Sequence, residues 1–142
     1  MNKERDLKYE DIKVGDVFNF DDVVDEIKIK KFAEISGDYN PLHVDKNYAK
    51  KTKFKKPIVH GMLAASFFST LVGMYCPGKR ALYISQDIRF RQPISIGETV
   101  TVEGKVTKKS DFGKMVEMET NIIIKSSGIV AIDGIARAKF IS

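Results

Sequence analysis

The sequence predicts an α+β fold in which one long apolar helix is wrapped by a curved antiparallel β-sheet. Three observations carry this. Between Gly61 and Cys76, apolar residues cover nearly the whole circumference of a helix, and a helix apolar all round is a buried one. From Ala81 onward the apolar period changes to two, the period of strands. The strand-like runs are joined by short turns, which implies antiparallel neighbours. Helices concentrated in the first half and strands in the second fit an α+β arrangement.

The elements follow in order. A short extended piece runs from about Asp16 to Val24. Asp25 is placed to cap a helix whose face carries Ile29, Phe32, Ala33 and Ser36, and Gly37 is placed to end it in a left-handed conformation. Asn40-Pro41 breaks the chain, because the residue before proline is pushed out of the helical region. Asp45 is placed to cap a second short helix through Tyr48 and Ala49 to Lys51. Past Pro57 a longer helix begins near His60 or Gly61, with Met62, Leu63, Ala64, Ala65, Phe67, Phe68, Leu71, Val72 and Met74 as its apolar residues.

In the extended half, Leu82, Ile84, Ile88 and Phe90 alternate imperfectly with polar residues, and Pro93 to Gly97 makes a break. Val100, Val102 and Val106 mark the next strand, and Lys108 to Gly113 the turn after it. Val116, Met118, Thr120, Ile122 and Ile124 form a third, closed by Ser126-Ser127-Gly128. Val130, Ile132, Gly134, Ala136, Ala138 and Phe140 form the last.

The 142 residues read as a single domain, 1–142, with no repeat, linker or low-complexity tract. The single Cys76 excludes an internal disulfide framework, and its setting beside an apolar helix reads as a buried, inert thiol. The charged first ten residues lack the apolar core of a signal peptide, and the run from Gly61 to Cys76 is short and Ser/Thr-containing for a membrane span. A cytoplasmic protein without membrane attachment is the expectation. The net charge is +5, and much of the excess lies in Lys50-Lys51-Thr52-Lys53-Phe54-Lys55-Lys56. That run fits first of all a solvated face; the sharper reading is a surface that attracts a polyanion such as the phosphates of coenzyme A. It lacks the interleaved aromatics of a nucleic-acid surface, so no nucleic-acid partner is expected.

The candidate chemistry lies in Asp38-Tyr39-Asn40-Pro41-Leu42-His43 and in His60-Gly61-Met62. Asp38 and His43 put a carboxylate and an imidazole five residues apart, on a loop between helices, where catalytic groups concentrate. Gly61 opens the apolar helix. The amides of a first helical turn lack intrahelical partners, and with the helix dipole they stabilise a developing negative oxygen. His60 reads as a weak cap. Ser66 and Ser69 read as bonding back to the helix backbone, with Ser69 a candidate to line the site. Two histidines and one cysteine at these spacings match no zinc pattern, and there is no Gly-Xaa-Ser-Xaa-Gly elbow.

The segments Ser36 to His43 and Pro57 to Met62 resemble the hydratase 2 motif of MaoC-like (R)-specific enoyl-CoA hydratases. The likeness is close and almost ungapped from Phe32 to Gly73, and Gln92-Pro93 through Gly97-Glu98 is similar to the family's strand break. The resemblance implies the hot-dog fold and a homodimer with active sites near its interface. It implies Asp38 and His43 as the catalytic pair, the Gly61 amide as oxyanion donor and Asn40 as support for the loop. It also implies hydration of trans-2-enoyl-CoA to (R)-3-hydroxyacyl-CoA with no cofactor, since coenzyme A is part of the substrate. Dehydration of (3R)-hydroxyacyl groups on acyl carrier protein, thioester hydrolysis, and non-catalytic binding of acyl-CoA are the alternatives.

Overall fold

The computed structural model describes residues 3–142. Six strands form one antiparallel sheet: β1 (Val17–Val23), β2 (Ala81–Gln86), β3 (Arg89–Phe90), β4 (Thr99–Ser110), β5 (Met115–Ile124) and β6 (Ile129–Phe140). Their order is β1-β4-β5-β6-β2, with β3 also pairing to β6. β2 pairs with Ala136–Phe140 and β3 with Ile132–Asp133, so the two share one side of β6.

The helical half holds α1 (Glu26–Ser36), α2 (Pro41–Val44), α3 (Lys46–Lys50), α4 (Gly61–Ala65) and α5 (Phe67–Thr70), followed by a π-helical turn at Leu71–Tyr75. Asp25 caps α1 by accepting from the Lys28 amide, and Gly37 ends it with φ 77°, as expected. Asp45 caps α3 by accepting from the Tyr48 amide. The one-turn helix α2 was not anticipated. Asn40 caps it and Pro41 opens it, a position where the missing N–H costs nothing.

The long helix predicted from His60 or Gly61 is a rod of three consecutive segments. The residue between α4 and α5, Ser66, keeps helical backbone angles (φ −61°, ψ −19°). Phe68, Leu71 and Val72 are almost wholly buried within one apolar cluster that includes Val100, Val102, Val106, Met118 and Ile122 from the sheet. Leu71 lies over Gly104, where a side-chain β-carbon would come within 2.8 Å of it. The helix is not buried all round, however. Met62, Ser66 and Ser69 form an exposed stripe at helical spacing.

The inward residues of β4 and β5 are those the period of two predicts: Val100, Val102, Val106, Val116, Met118, Ile122 and Ile124, with Thr120 buried among them. β6 departs at its start. Ile122 pairs with Ile132 but Ile123 with Val130, so Ala131 is an extra residue in the ladder. Such a bulge rotates the side chains before it, and Val130 is exposed while Ala131 is buried. The stretch expected as one strand from Leu82 to Phe90 divides into β2 and β3 around Asp87-Ile88. In β2 it is Tyr83 that packs against the core, while Leu82 and Ile84 are each 50% exposed. Among the described residues, no helix is long and apolar enough to cross a membrane.

If the rod is held by its buried face, Phe68→Ala will lower stability by about 3–5 kcal/mol. Ser66→Ala, on the exposed stripe, will stay within about 0.5 kcal/mol of the parent. Urea denaturation monitored by circular dichroism measures both, as shifts in midpoint at unchanged slope.

Candidate active site

The segment after α1 is shaped by short side chains bonding to nearby backbone. Ser36 Oγ donates to the Phe32 carbonyl and accepts from the Asp38 amide. Asp38 Oδ1 accepts from the Asn40 amide at 3.1 Å, and Asn40 Oδ1 accepts from the Leu42 amide at 3.0 Å. Asp and Asn favour such turns because they offer the backbone a local acceptor. Asn40 thus supports the loop by capping α2, whose single turn carries His43. His43 therefore sits on a helical turn rather than on an open loop. Its Nδ1 lies 2.7 Å from the Ile58 carbonyl oxygen, which can only accept. Nδ1 consequently carries a hydrogen, and in the neutral ring Nε2 is the nitrogen that keeps a lone pair.

His60 plays a different part from the weak cap expected of it. Its side chain makes no capping bond. The ring is 2% exposed, donates from Nε2 to the Asp38 carbonyl oxygen at 3.0 Å, and stacks on His43 with centroids 4.1 Å apart. Asp38, His43 and His60 offer polar atoms within 4.8 Å of one another. The two imidazoles are inclined at 28° to each other, so His60 packs against His43 ring to ring.

Gly61 begins α4 immediately after His60. A β-carbon at this position would lie 2.7 Å from Phe90 Cε1, so the missing side chain is space taken by the Phe90 ring. Phe90 comes from β3, and sequence spacing offered no sign of this contact. Asp38, His43, His60 and Gly61 line a cavity of about 390 Å³, within the usual size of small-molecule sites. Met62, Phe90, Ile94 and Ile132 supply its apolar wall, with Arg91 and Gln92 at the same cavity. Ser69 is not there. It follows Gly61 by eight residues, roughly 12 Å along a helix, and lines a separate cleft with Ser66, Tyr83 and Gln86.

The surrounding chemistry is quiet. Cys76 is fully buried, and desolvation pushes its thiol up to about 12, as expected of an inert cysteine. Lys50, Lys51, Lys53, Lys55 and Lys56 are all exposed.

Comparison with known proteins places this arrangement. The solved (R)-hydratase from A. caviae involved in PHA biosynthesis superposes with a TM-score of 0.88 at 36% identity, covering 91% of this chain and 97% of that one. R-hydratase PhaJ1 from Pseudomonas aeruginosa superposes equally well, with a TM-score of 0.88 at 32% identity over 93% of this chain and 84% of that one. The curved sheet around a central helix is accordingly a hot-dog fold. The MaoC like domain matches residues 10–127, a span that takes in Asp38, Asn40, His43, His60, Gly61 and Phe90, and the chain belongs to the MaoC-like family. Among its relatives are (R)-specific enoyl-CoA hydratases from Aeromonas caviae, 41% identical over 79% of this chain and 83% of that protein, and from Rhodospirillum rubrum, 40% identical over 89% and 86%. A mitochondrial 3-hydroxyacyl-[acyl-carrier-protein] dehydratase from Arabidopsis thaliana is 36% identical over 89% of this chain and 76% of its own length.

The contact between Gly61 and Phe90 yields a test of its own. Gly61→Ala will cost roughly 1–3 kcal/mol by overpacking against the ring. Most of that loss will disappear when Phe90 is also changed to Ala. A double-mutant cycle on unfolding free energies should give a coupling of about 0.5–3 kcal/mol.

Proposed function

We propose that this protein is an (R)-specific enoyl-CoA hydratase, adding water reversibly to a trans-2-enoyl-CoA to give the (R)-3-hydroxyacyl-CoA. The observation that carries the reading is the convergence of the Asp38 carboxylate, the His43 imidazole and the Gly61 end of the buried helix on one cavity. Relatives named for this reaction, about 40% identical over most of their length, support it.

The thioester carbonyl lies at the helix N-terminus and accepts a hydrogen bond from the Gly61 amide. Asp38 and His43 hold one water against C3. As the water oxygen bonds to C3, His43 Nε2 takes its proton and the C2=C3 electrons move onto the thioester oxygen. The resulting enolate then collapses, and C2 takes a proton returned by the acid–base pair. The sum is one water added, with no group left altered. Positioned acid–base groups contribute about 10²–10⁴ in rate, and an oxyanion donor roughly 3–4 kcal/mol. Both act on enolate formation, the difficult part of the reaction. Water and the thioester supply all the atoms, so the step draws on no cofactor beyond the coenzyme A of the substrate.

A homodimer belongs to the same reading. Among the described residues β2 ends the strand order and pairs with β6 alone, leaving one row of backbone groups open to a further strand. Leu82 and Ile84, each 50% exposed, put apolar surface on that strand. A second copy of the chain is the occupant this surface suits. The exposed lysines from Lys50 to Lys56 suit coenzyme phosphates and also an acidic carrier protein. That ambiguity, with the Arabidopsis relative, keeps dehydration on acyl carrier protein as the second reading.

Ultraviolet assay with crotonyl-CoA tests the reaction through loss of the conjugated enoyl thioester, with stereochemistry read by (R)- and (S)-specific 3-hydroxyacyl-CoA dehydrogenases. Only (R)-product is expected. Asp38→Asn and His43→Gln should each lower kcat by about 10²–10⁴ with KM nearly unchanged. An Asp38→Asn variant that kept most of its activity would overturn the assignment. Competition between enoyl-CoA and the matching acyl carrier protein thioester separates the two substrates. Light scattering should report a dimer, and a monomer once Leu82 and Ile84 are both changed to Lys.

A further inference from the structure

We propose that His60 is a positioning residue that aligns the acid–base pair with the helix N-terminus, a role that rests on the reading of Asp38 and His43 given above. His60 reaches all three parts of the site at once. Its carbonyl accepts from the Leu63 and Ala64 amides at 3.0 and 3.2 Å, which holds the first turn beginning at Gly61. Its Nε2–H donates to the main-chain carbonyl of Asp38 at 3.0 Å. Its ring face lies 4.1 Å from that of His43.

Each tie removes a particular freedom. The bond to Asp38 is made at the backbone, so it fixes the root of the side chain and leaves the carboxylate oxygens for other work. His43 is held at one edge by its Nδ1–H bond to Ile58. The stack against His60 supports the face of the ring, so that tilting it away costs the ring–ring contact as well as the hydrogen bond. Phe32, at 4.9 Å from His60, keeps His60 itself from shifting.

The residue type is informative. His60 Nδ1 is buried and has no hydrogen-bond partner among the described residues, an arrangement that disfavours folding. A phenylalanine would stack as well without that penalty, and a glutamine would donate without stacking. Only a ring that both stacks and donates makes both contacts. Side chains that perform proton transfer need placement to within a fraction of an ångström, and a misplacement of about 1 Å costs on the order of 10²-fold in rate.

The experiment compares His60→Phe, which keeps the stack, with His60→Gln, which keeps a donor, each alone and combined with Asp38→Asn. Both single variants should fold, with His60→Phe melting at or above the parent temperature. Each should lower kcat for crotonyl-CoA by about 10–100-fold at nearly unchanged KM. In the Asp38→Asn background the same changes should have much less effect, since the group they align is already disabled. A merely structural role would lower activity by the same factor in both backgrounds, and that result would overturn the proposal, as would full kcat in His60→Phe. Nuclear magnetic resonance of the His43 Nδ1 proton reads the same role without substrate. The signal should be protected from solvent exchange in the parent and lose protection in His60→Gln. Should the parent fail to hydrate crotonyl-CoA, the functional reading falls by itself. Unchanged His43 protection in His60→Gln would then sink the positioning role separately.

Discussion

The rest of the structure depends on the need to cover the helix that starts at Gly61. Phe68, Leu71 and Val72 are at most 1% exposed, and burying each such side chain is worth about 1.5–3 kcal/mol. No other element of the chain is large enough to bury that rod except the sheet, which must curve to do so. Gly104 in the middle of β4 lets Leu71 approach the backbone, which draws the rod onto the sheet. Once the rod is seated, its N-terminus is fixed relative to β3 and to the segment from Pro93 to Ile96. The Val59 amide donates to the Ile94 carbonyl, and Ile58 bridges Ser95. The position of the candidate site is thus a by-product of core packing.

What is placed against that N-terminus is built differently, by local bonds rather than burial. Ser36, Asp38 and Asn40 each satisfy a backbone group within four residues, and Gly37 turns the chain out of α1. The loop carries little apolar area of its own. Its precision comes from Ile58 and His60, in the segment leading into the rod, which reach across to His43 and Asp38. A site assembled this way can keep a half-exposed, reactive surface on a rigid support.

The parts legible in the sequence are those whose causes are local or periodic. Asp25, Gly37 and Asp45 cap helices through bonds spanning three or four residues, and β5 and the first eight residues of β4 keep the alternation. Asp38 and His43 stood out because a carboxylate, a proline turn and one of only two histidines fall within six positions. The parts that were not legible depend on distant partners. Phe90 meets Gly61 only because β3 pairs with β6. His60 finds Asp38 across 22 positions, and nothing in its neighbours' identity announces that. Leu82 and Ile84 carry the apolar positions of an imperfect alternation, yet it is Tyr83 between them that packs against the core. Ser66 and Ser69 looked like incidental polar residues in a buried helix, whereas they mark its open side. Ser69, a candidate to line the site, faces a separate cleft with Tyr83 and Gln86.

Cys76 has one more implication. It is the single cysteine of the chain, and burial holds its thiol at about 12. At neutral pH the folded protein thus presents a background almost without thiolate. A cysteine substituted for Ser66, on the open side of the rod, would stand alone as a reactive handle. Spin labels or fluorophores could be attached there without first deleting the native residue, and the open side of the rod could be probed in a protein otherwise unaltered.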